Sequence, residues 1–212
     1  MVIRERTPAV LWLTGLSGAG KSTLAEAVER ELRGCGLPTE YLDGDAVRIL
    51  SPAGFTRDER DAHVRRVGFL ASRLEHHGVT VVCALISPYR DARDYVRRLC
   101  RRFIEIHVAT PLEECERRDV KGLYARARRG ELAHFTGIDD PYEPPGHPDL
   151  AVDTTALTVD QAARRIIQCW DDMTRQPFAA LRQESSDAIA VSASGECLEH
   201  LLRIARDAGP RS

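Results

Sequence analysis

Gly15, Gly20, Lys21 and Ser22 stand in the spacing G-x-x-x-x-G-K-[ST] within AVLWLTGLSGAGKST, residues 9–23. Each residue type in that pattern has a chemical use. Gly15, Gly18 and Gly20 admit positive φ and let backbone N–H groups approach phosphate oxygens that side chains would otherwise block. Ser17, Ala19 and Thr23 complete the loop, and a helix starting at its end adds unpaired N–H groups and a dipole that favour an anion. Lys21 is placed to reach the β- and γ-phosphates of ATP, and the Ser22 hydroxyl to ligate magnesium. The loop by itself indicates a nucleotide and leaves the reaction open.

Phosphoryl transfer also needs a proton acceptor and positive charge around the equatorial oxygens. Asp43-Gly44-Asp45 offers two carboxylates: Asp45 as the base, worth about 10² to 10⁴ in rate, and Asp43 to orient a magnesium-bound water. On its own, D-G-D is an ordinary turn sequence. Arg48, Arg60, Lys121, Arg126, Arg128 and Arg129 could supply charge for an anionic second substrate. Among the 30 basic residues only Lys21 and Lys121 are lysines, and both lie in motifs. Phe55 and Phe135 occupy loop positions unsuited to a core, where base stacking would use them.

The surrounding pattern supplies the frame for these residues. AVLWL reads as a buried strand, followed by a helix to about Arg33 with Leu24, Val28 and Leu32 on one face. A strand at 39–42, beside the phosphate-loop strand, would carry Asp43 to Asp45 at its carboxyl end, where open α/β sheets bind ligands. Thr56 and Glu59 form a capping box for a helix that turns Val64, Val67, Leu70, Ala71 and Leu74 to the sheet. Residues 79–86 read as a central strand, 91–101 as a helix and 103–110 as a strand. Thr110 with Glu113 repeats the capping box, with Pro111 at the first helical position. Residues 117–147, a basic helix and then a Gly- and Pro-rich stretch, read either as a mobile lid over the site or as a solvated excursion. A last strand at 149–154 and a helix capped by Thr158 and Gln161, bearing Ala162, Ile166 and Trp170, close the pattern. Alternating strands and helices predict an α/β, three-layer fold with a parallel sheet. The organisation is a kinase-like domain over 1–172 and a C-terminal extension over 173–212 without a chemical reading, a linker and then a short strand and amphipathic helix that could serve packing or dimer contact.

Composition bounds the partners. The chain has 212 residues, net charge −2, 43% hydrophobic and 29% charged residues, which gives no overall signal for nucleic acid or a membrane. No run approaches a membrane span, and MVIRERTPAV lacks an apolar core of signal length. The six cysteines form no C-x-x-C pair and read as reduced thiols, which suits a cytoplasmic protein.

Over about residues 8–170 the sequence resembles the adenylylsulfate kinase (APS kinase) family. GLSGAGKST, LDGD with Arg48, GF followed by R-x-x-R ending at Arg60, ISPYR at 86–90, DVKGLYARAR at 119–128 and FTGIDDPYEPP at 135–145 are similar to the family's signatures, in its order. The resemblance implies transfer of the γ-phosphate of MgATP to the 3′-hydroxyl of adenylylsulfate, giving PAPS and ADP in sulfate assimilation, by an enzyme that is usually a homodimer. It implies acceptor contacts from Asp45, Arg48, Phe55, Arg60, Ile86, Ser87, Lys121 and Phe135, with Asp45 as base. Ser87 joins Asp45 and Lys21 among the catalytic candidates; the family's serine is described as a phosphoserine intermediate, a step that direct in-line transfer does not need. Two departures lie in the acceptor pocket: the short connection ILSPAG at 49–54, and His63 where asparagine is usual. They leave open a relative acting on another nucleotide hydroxyl, such as that of a cytidine diphosphoramidate. The unexplained extension leaves open a catalytically silent nucleotide-binding partner, against which intact Lys21, Ser22 and Asp45 argue.

Overall fold

A computed structural model describes residues 6–48, 54 and 56–175. The strands are β1 (Val10–Thr14), β2 (Thr39–Asp43), β3 (Thr80–Ala84), β4 (Phe103–Val108) and β5 (Leu150–Val152). The helices are α1 (Lys21–Gly34), α2 (Gly44–Val47), α3 (Arg57–His76), α4 (Arg90–Leu99), α5 (Leu112–Arg118), α6 (Leu123–Arg128) and α7 (Val159–Thr174). All strand pairings are parallel, in the order β2-β3-β1-β4-β5.

The alternation of side chains along β1 divides the core in two. Leu11 and Leu13 face α1 and α7, meeting Leu24, Val28, Leu32, Ala162, Ile166 and Trp170. Val10 and Trp12 face α3 and α4, meeting Val64, Val67, Ala71, Ala92 and Val96. At the contact of α3 with α4, a Cβ on Gly68 would lie 2.2 Å from Val96 Cγ2, so only glycine fits that approach. The capping boxes at Thr56–Glu59 and Thr158–Gln161 both form.

Several expectations are corrected. β2 does not lie beside β1: β3 is inserted between them, so Asp45 faces the phosphate loop across a strand. Leu70 is 38% exposed instead of packed on the sheet. Thr110 does not cap α5; Pro111 is the N-cap, and the Thr110 hydroxyl is engaged with Ala19. The basic stretch after Arg117 is two helices, because Asp119 (φ 26) and Gly122 (φ 65) turn the chain, and the Asp119 carboxylate then accepts the N–H groups of Tyr124 and Ala125. β3, β4 and β5 are shorter than the strands expected at 79–86, 103–110 and 149–154, and of the residues beyond their carboxyl ends Leu85 and Ile86 line a cleft. α7 runs through Thr174, two residues past the expected boundary. Phe55, the connection 49–53 and the rest of the C-terminal extension lie outside the described residues.

Candidate active site

The phosphate loop begins where β1 ends. Gly15 (φ 155) turns so tightly against β4 that a Cβ there would lie 2.5 Å from the Val108 carbonyl oxygen. Gly18 (φ 74) and Gly20 (φ 99) take left-handed backbone, as expected. The loop is braced from behind. Ala19, itself fully buried, presents its carbonyl to the hydroxyls of Thr110 (3.0 Å) and Thr154 (3.1 Å). Arg118 Nη1 donates to Thr154 Oγ1 at 2.8 Å and to the Gly18 carbonyl at 3.4 Å, and the Tyr124 hydroxyl donates to the Ser17 carbonyl at 2.9 Å. No side chain caps α1 and no acid occupies its first turn, so its N-terminal field is left for an anion.

Ser17, Gly18, Gly20, Lys21, Ser22 and Thr23 line one wall of a cleft of about 250 Å³. Gly15 and Ala19 lie behind that wall. Lys21 Nζ donates to the Leu16 carbonyl at 2.6 Å, and burial lowers its pKa to about 8, against the pull of Cys115 and Asp45. Ser22 Oγ donates to Asp43 Oδ2 at 3.3 Å, and the Tyr41 hydroxyl donates to the same oxygen at 2.8 Å. Asp43 Oδ1 accepts the N–H groups of Asp45 (2.7 Å) and Ala46 (3.3 Å), capping α2. Burial alone would raise the Asp43 carboxyl; the hydrogen bonds from Tyr41, Asp45, Ala46 and Ser22 outweigh it and hold the group below the usual carboxylate range. Ser22 and Asp43 thus present hard oxygen donors suited to magnesium. Among the described residues no group of three or more His, Cys, Asp or Glu could hold a metal.

The facing wall is made from separated segments. Asp45 Oδ2 pairs with Lys121 Nζ at 2.6 Å across the cleft, both side chains well exposed, and Arg48 Nε lies 3.9 Å from Asp45 Oδ1. The hydrogen bond lifts Lys121 above the ordinary lysine pKa. His63 is 4% exposed, and its Nε2–H donates to the Gly44 carbonyl at 2.9 Å, which fixes that tautomer and props the turn bearing Asp45. Burial, and then Arg48, lower its pKa, so the ring is neutral. Arg60 lines the cleft but is anchored away from it, donating to Thr136 Oγ1 at 2.5 Å and to the His134 carbonyl. Ile86 and Ser87 also line the cleft.

Ser87 has φ 40 and is 2% exposed. Its Oγ accepts Trp12 Nε1–H at 3.1 Å and donates to Thr14 Oγ1 at 2.9 Å, while Thr14 donates to the Ile86 carbonyl at 2.8 Å. The Tyr142 hydroxyl joins Thr14 at 3.0 Å. Arg93, 1% exposed, bonds the Ser87 carbonyl, Glu105 Oε1 and the Glu143 carbonyl, each at 2.7 to 2.8 Å.

The segment expected as one lid divides into two parts. Residues 134–143 are tied down: besides the Arg60, Tyr142 and Arg93 contacts, Tyr89 donates to Asp140 at 2.6 Å and Glu143 accepts the Arg90 N–H at 2.8 Å. Phe135 belongs to the core, packed edge-to-face on Tyr124 with centroids 5.0 Å apart, and does not line the cleft. Arg126 and Arg129 pair with Glu131, and Arg128 with Glu116, so these arginines serve the surface and not the cleft. Sequence reasoning missed Arg93, Arg118, Tyr41 and Thr154, whose partners lie far away in the chain or, for Tyr41, on one strand face. Only the Tyr41–Asp43 spacing of two residues, which puts both on the same face of a strand, carried a readable signal.

The model of the family described as adenylylsulphate kinase matches residues 7–153. An adenylyl-sulfate kinase of Synechococcus sp. (strain JA-2-3B'a(2-13)) is 51% identical over 166 residues, 77% of this chain and 95% of the relative. The solved structure of the Mycobacterium tuberculosis APS kinase in complex with AMPPNP and APS has a TM-score of 0.75 and 39% identity, covering 79% of this chain and 99% of that one. A hexameric APS kinase from Thiobacillus denitrificans has a TM-score of 0.63 and 37% identity, covering 82% of this chain and 30% of that one. With this likeness extending through the phosphate loop, the facing wall and the tied-down segment, the chain belongs to the adenylylsulphate kinase family.

Proposed function

We propose that the chain transfers the γ-phosphoryl group of MgATP to the 3′-hydroxyl of adenylylsulfate, giving PAPS and ADP. The observation that carries this reading is one cleft with a phosphate loop on one wall and Asp45, Lys121, Arg48 and His63 on the other. ATP phosphates lie on the loop N–H groups and the α1 terminus, and Lys21 leaves the Leu16 carbonyl for them. Ser22 would hold a magnesium ion, with Asp43 behind it, and the ion would supply neutralisation of the charge on the transferring phosphate. Asp45 takes the acceptor's hydroxyl proton as that oxygen bonds to the γ-phosphorus and the bond to the β-γ bridging oxygen breaks. Lys121 and Arg48 bind the anionic acceptor, with Arg60, His63 and Ile86 shaping its pocket and Phe55 serving its base. Ser87 acts by holding the floor of the pocket, because its hydroxyl is engaged at both ends and none of its partners is a carboxylate.

The test is product analysis. The purified chain with MgATP and a panel of nucleotide acceptors is expected to convert adenylylsulfate to PAPS with one ADP released per turnover. Phosphorylation of a non-sulfated acceptor in preference, such as a cytidine diphosphoramidate, overturns the assignment; ATP binding without acceptor-dependent turnover also does so. The chain is further proposed to be a cytoplasmic homodimer. Free thiols at Cys35, Cys83, Cys100, Cys115 and Cys169 support the compartment, and an oligomeric relative supports self-association. Light scattering on the eluting protein measures the latter.

A further inference from the structure

We infer that Tyr41 is a positioning residue for the metal edge of the site, holding the Asp43 carboxylate in the orientation in which it supports Ser22. The inference rests on the reading of Ser22 and Asp43 as the magnesium edge. Tyr41 and Asp43 are two residues apart on β2, so their side chains share one face of the strand, the face on which α1 brings Ser22. Each oxygen of Asp43 has a different task. Oδ1 receives the N–H groups of Asp45 and Ala46 and sets the turn that carries the base. Oδ2 receives Ser22 at a long 3.3 Å and Tyr41 at a short 2.8 Å. The tyrosine is therefore the stronger of the two donors that orient Oδ2.

The Ser22 oxygen can give a lone pair to a cation while its O–H still donates to Asp43 Oδ2. Such a carboxylate behind a metal ligand fixes the ligand's orientation and raises its basicity, and losing it typically costs roughly 10- to 100-fold in metal affinity. Tyr41 stands one bond further out. Without its hydroxyl the carboxylate can rotate toward water, and Ser22 loses a fixed partner. Tyr41 is only half-buried and packs its ring against the core, so Tyr41→Phe keeps the packing and removes one oxygen.

The experiment titrates Mn²⁺ into the full-length chain saturated with AMPPNP, following free Mn²⁺ by electron paramagnetic resonance, for the wild type, Tyr41→Phe and Asp43→Asn. Expected is a weakening of roughly three- to tenfold for Tyr41→Phe and a larger one for Asp43→Asn, with the thermal midpoint of Tyr41→Phe little changed. Unchanged Mn²⁺ affinity in Tyr41→Phe overturns the inference, whether or not its stability falls. If Asp43→Asn also leaves Mn²⁺ affinity unchanged, the metal-edge reading fails with it. If Asp43→Asn alone weakens binding, that reading stands and the role of Tyr41 fails. No acceptor is present, so the outcome is independent of which hydroxyl the enzyme phosphorylates.

Discussion

The donor wall of the cleft runs through neighbouring residues from Ser17 to Thr23, whereas the acceptor wall draws on four separated stretches: Asp45 and Arg48, Arg60 and His63, Ile86 and Ser87, and Lys121. The donor wall is mostly backbone, braced at the Ala19, Gly18 and Ser17 carbonyls by Thr110, Thr154, Arg118 and Tyr124. On the acceptor wall the acting groups are side chains, and its central pair, Asp45 with Lys121, is open to water. A backbone cradle loses little entropy when phosphate arrives, since its N–H groups are already set. Exposed side chains are weakly coupled and free to exchange partners. The comparison teaches that ATP binding is preorganised here, while the acceptor must replace the Asp45–Lys121 contact with its own.

Asp45→Asn breaks the acceptor wall at its reactive point. It should lower kcat by about 10² to 10⁴ and leave ATP affinity near wild type, measured by steady-state kinetics beside AMPPNP calorimetry. Near-normal turnover would remove Asp45 as the base.

Gly15→Ala breaks the donor wall. Its Cβ would lie 2.5 Å from the Val108 carbonyl oxygen, so β4 or the loop must move. A destabilisation of roughly 1 to 3 kcal/mol follows, together with weaker ATP binding, read by thermal denaturation with and without nucleotide. An unchanged midpoint would show that the wall is less tightly built than its geometry indicates.

Lys21 sharpens the comparison through pH. In the free enzyme burial lowers its pKa from 10.5 to about 8. Phosphate restores the charged form, so ATP binding takes up a proton between the two values. Affinity is full below pH 8 and falls as pH rises through it, by roughly tenfold from pH 7.5 to 9. The opposite slope, or none, would contradict a buried lysine awaiting an anion. The folding linkage has its own sign: in the absence of ligand the unfolded chain binds the extra proton between pH 8 and 10.5, so this group's contribution to stability rises with pH there.

Lys121→Ala tests the smallest effect. The pair it breaks is exposed, so the thermal midpoint should stay within about 3 °C. The acceptor KM should rise roughly three- to tenfold with the ATP KM constant. A rise in the ATP KM would mean that the two walls are not separable.

Much of the site was legible because its parts are local. The phosphate loop is a single short motif whose glycines, lysine and serine have meaning by spacing alone. Both formed capping boxes depend on residues three apart, and the two faces of β1 depend on alternation. Thr110 with Glu113 has the same local spacing and fails, because Ala19 and Thr154 compete for the Thr110 hydroxyl from 91 and 44 residues away. Phe135 stands at a loop position that the sequence marks as unsuited to a core, but its packing partner Tyr124 comes from α6. The arginines of α6 carry charge suited to a nucleotide, yet Glu116 and Glu131 pair with them and neither arginine lines the cleft.

By itself the sequence determined the α/β alternation, the phosphate loop, the D-G-D turn and, through its ordered motifs, the family. These are short-range properties, governed by backbone conformation, side-chain periodicity and charge within a few residues. Only the tertiary structure decided that β3 stands between β1 and β2, that His63 props Gly44, that Ser87 is held by Trp12 and Thr14, and that Arg93 joins Ser87, Glu105 and Glu143. The reason is physical: a buried polar group must find partners wherever the fold brings them, and those partners are set by packing across the sheet instead of by distance along the chain.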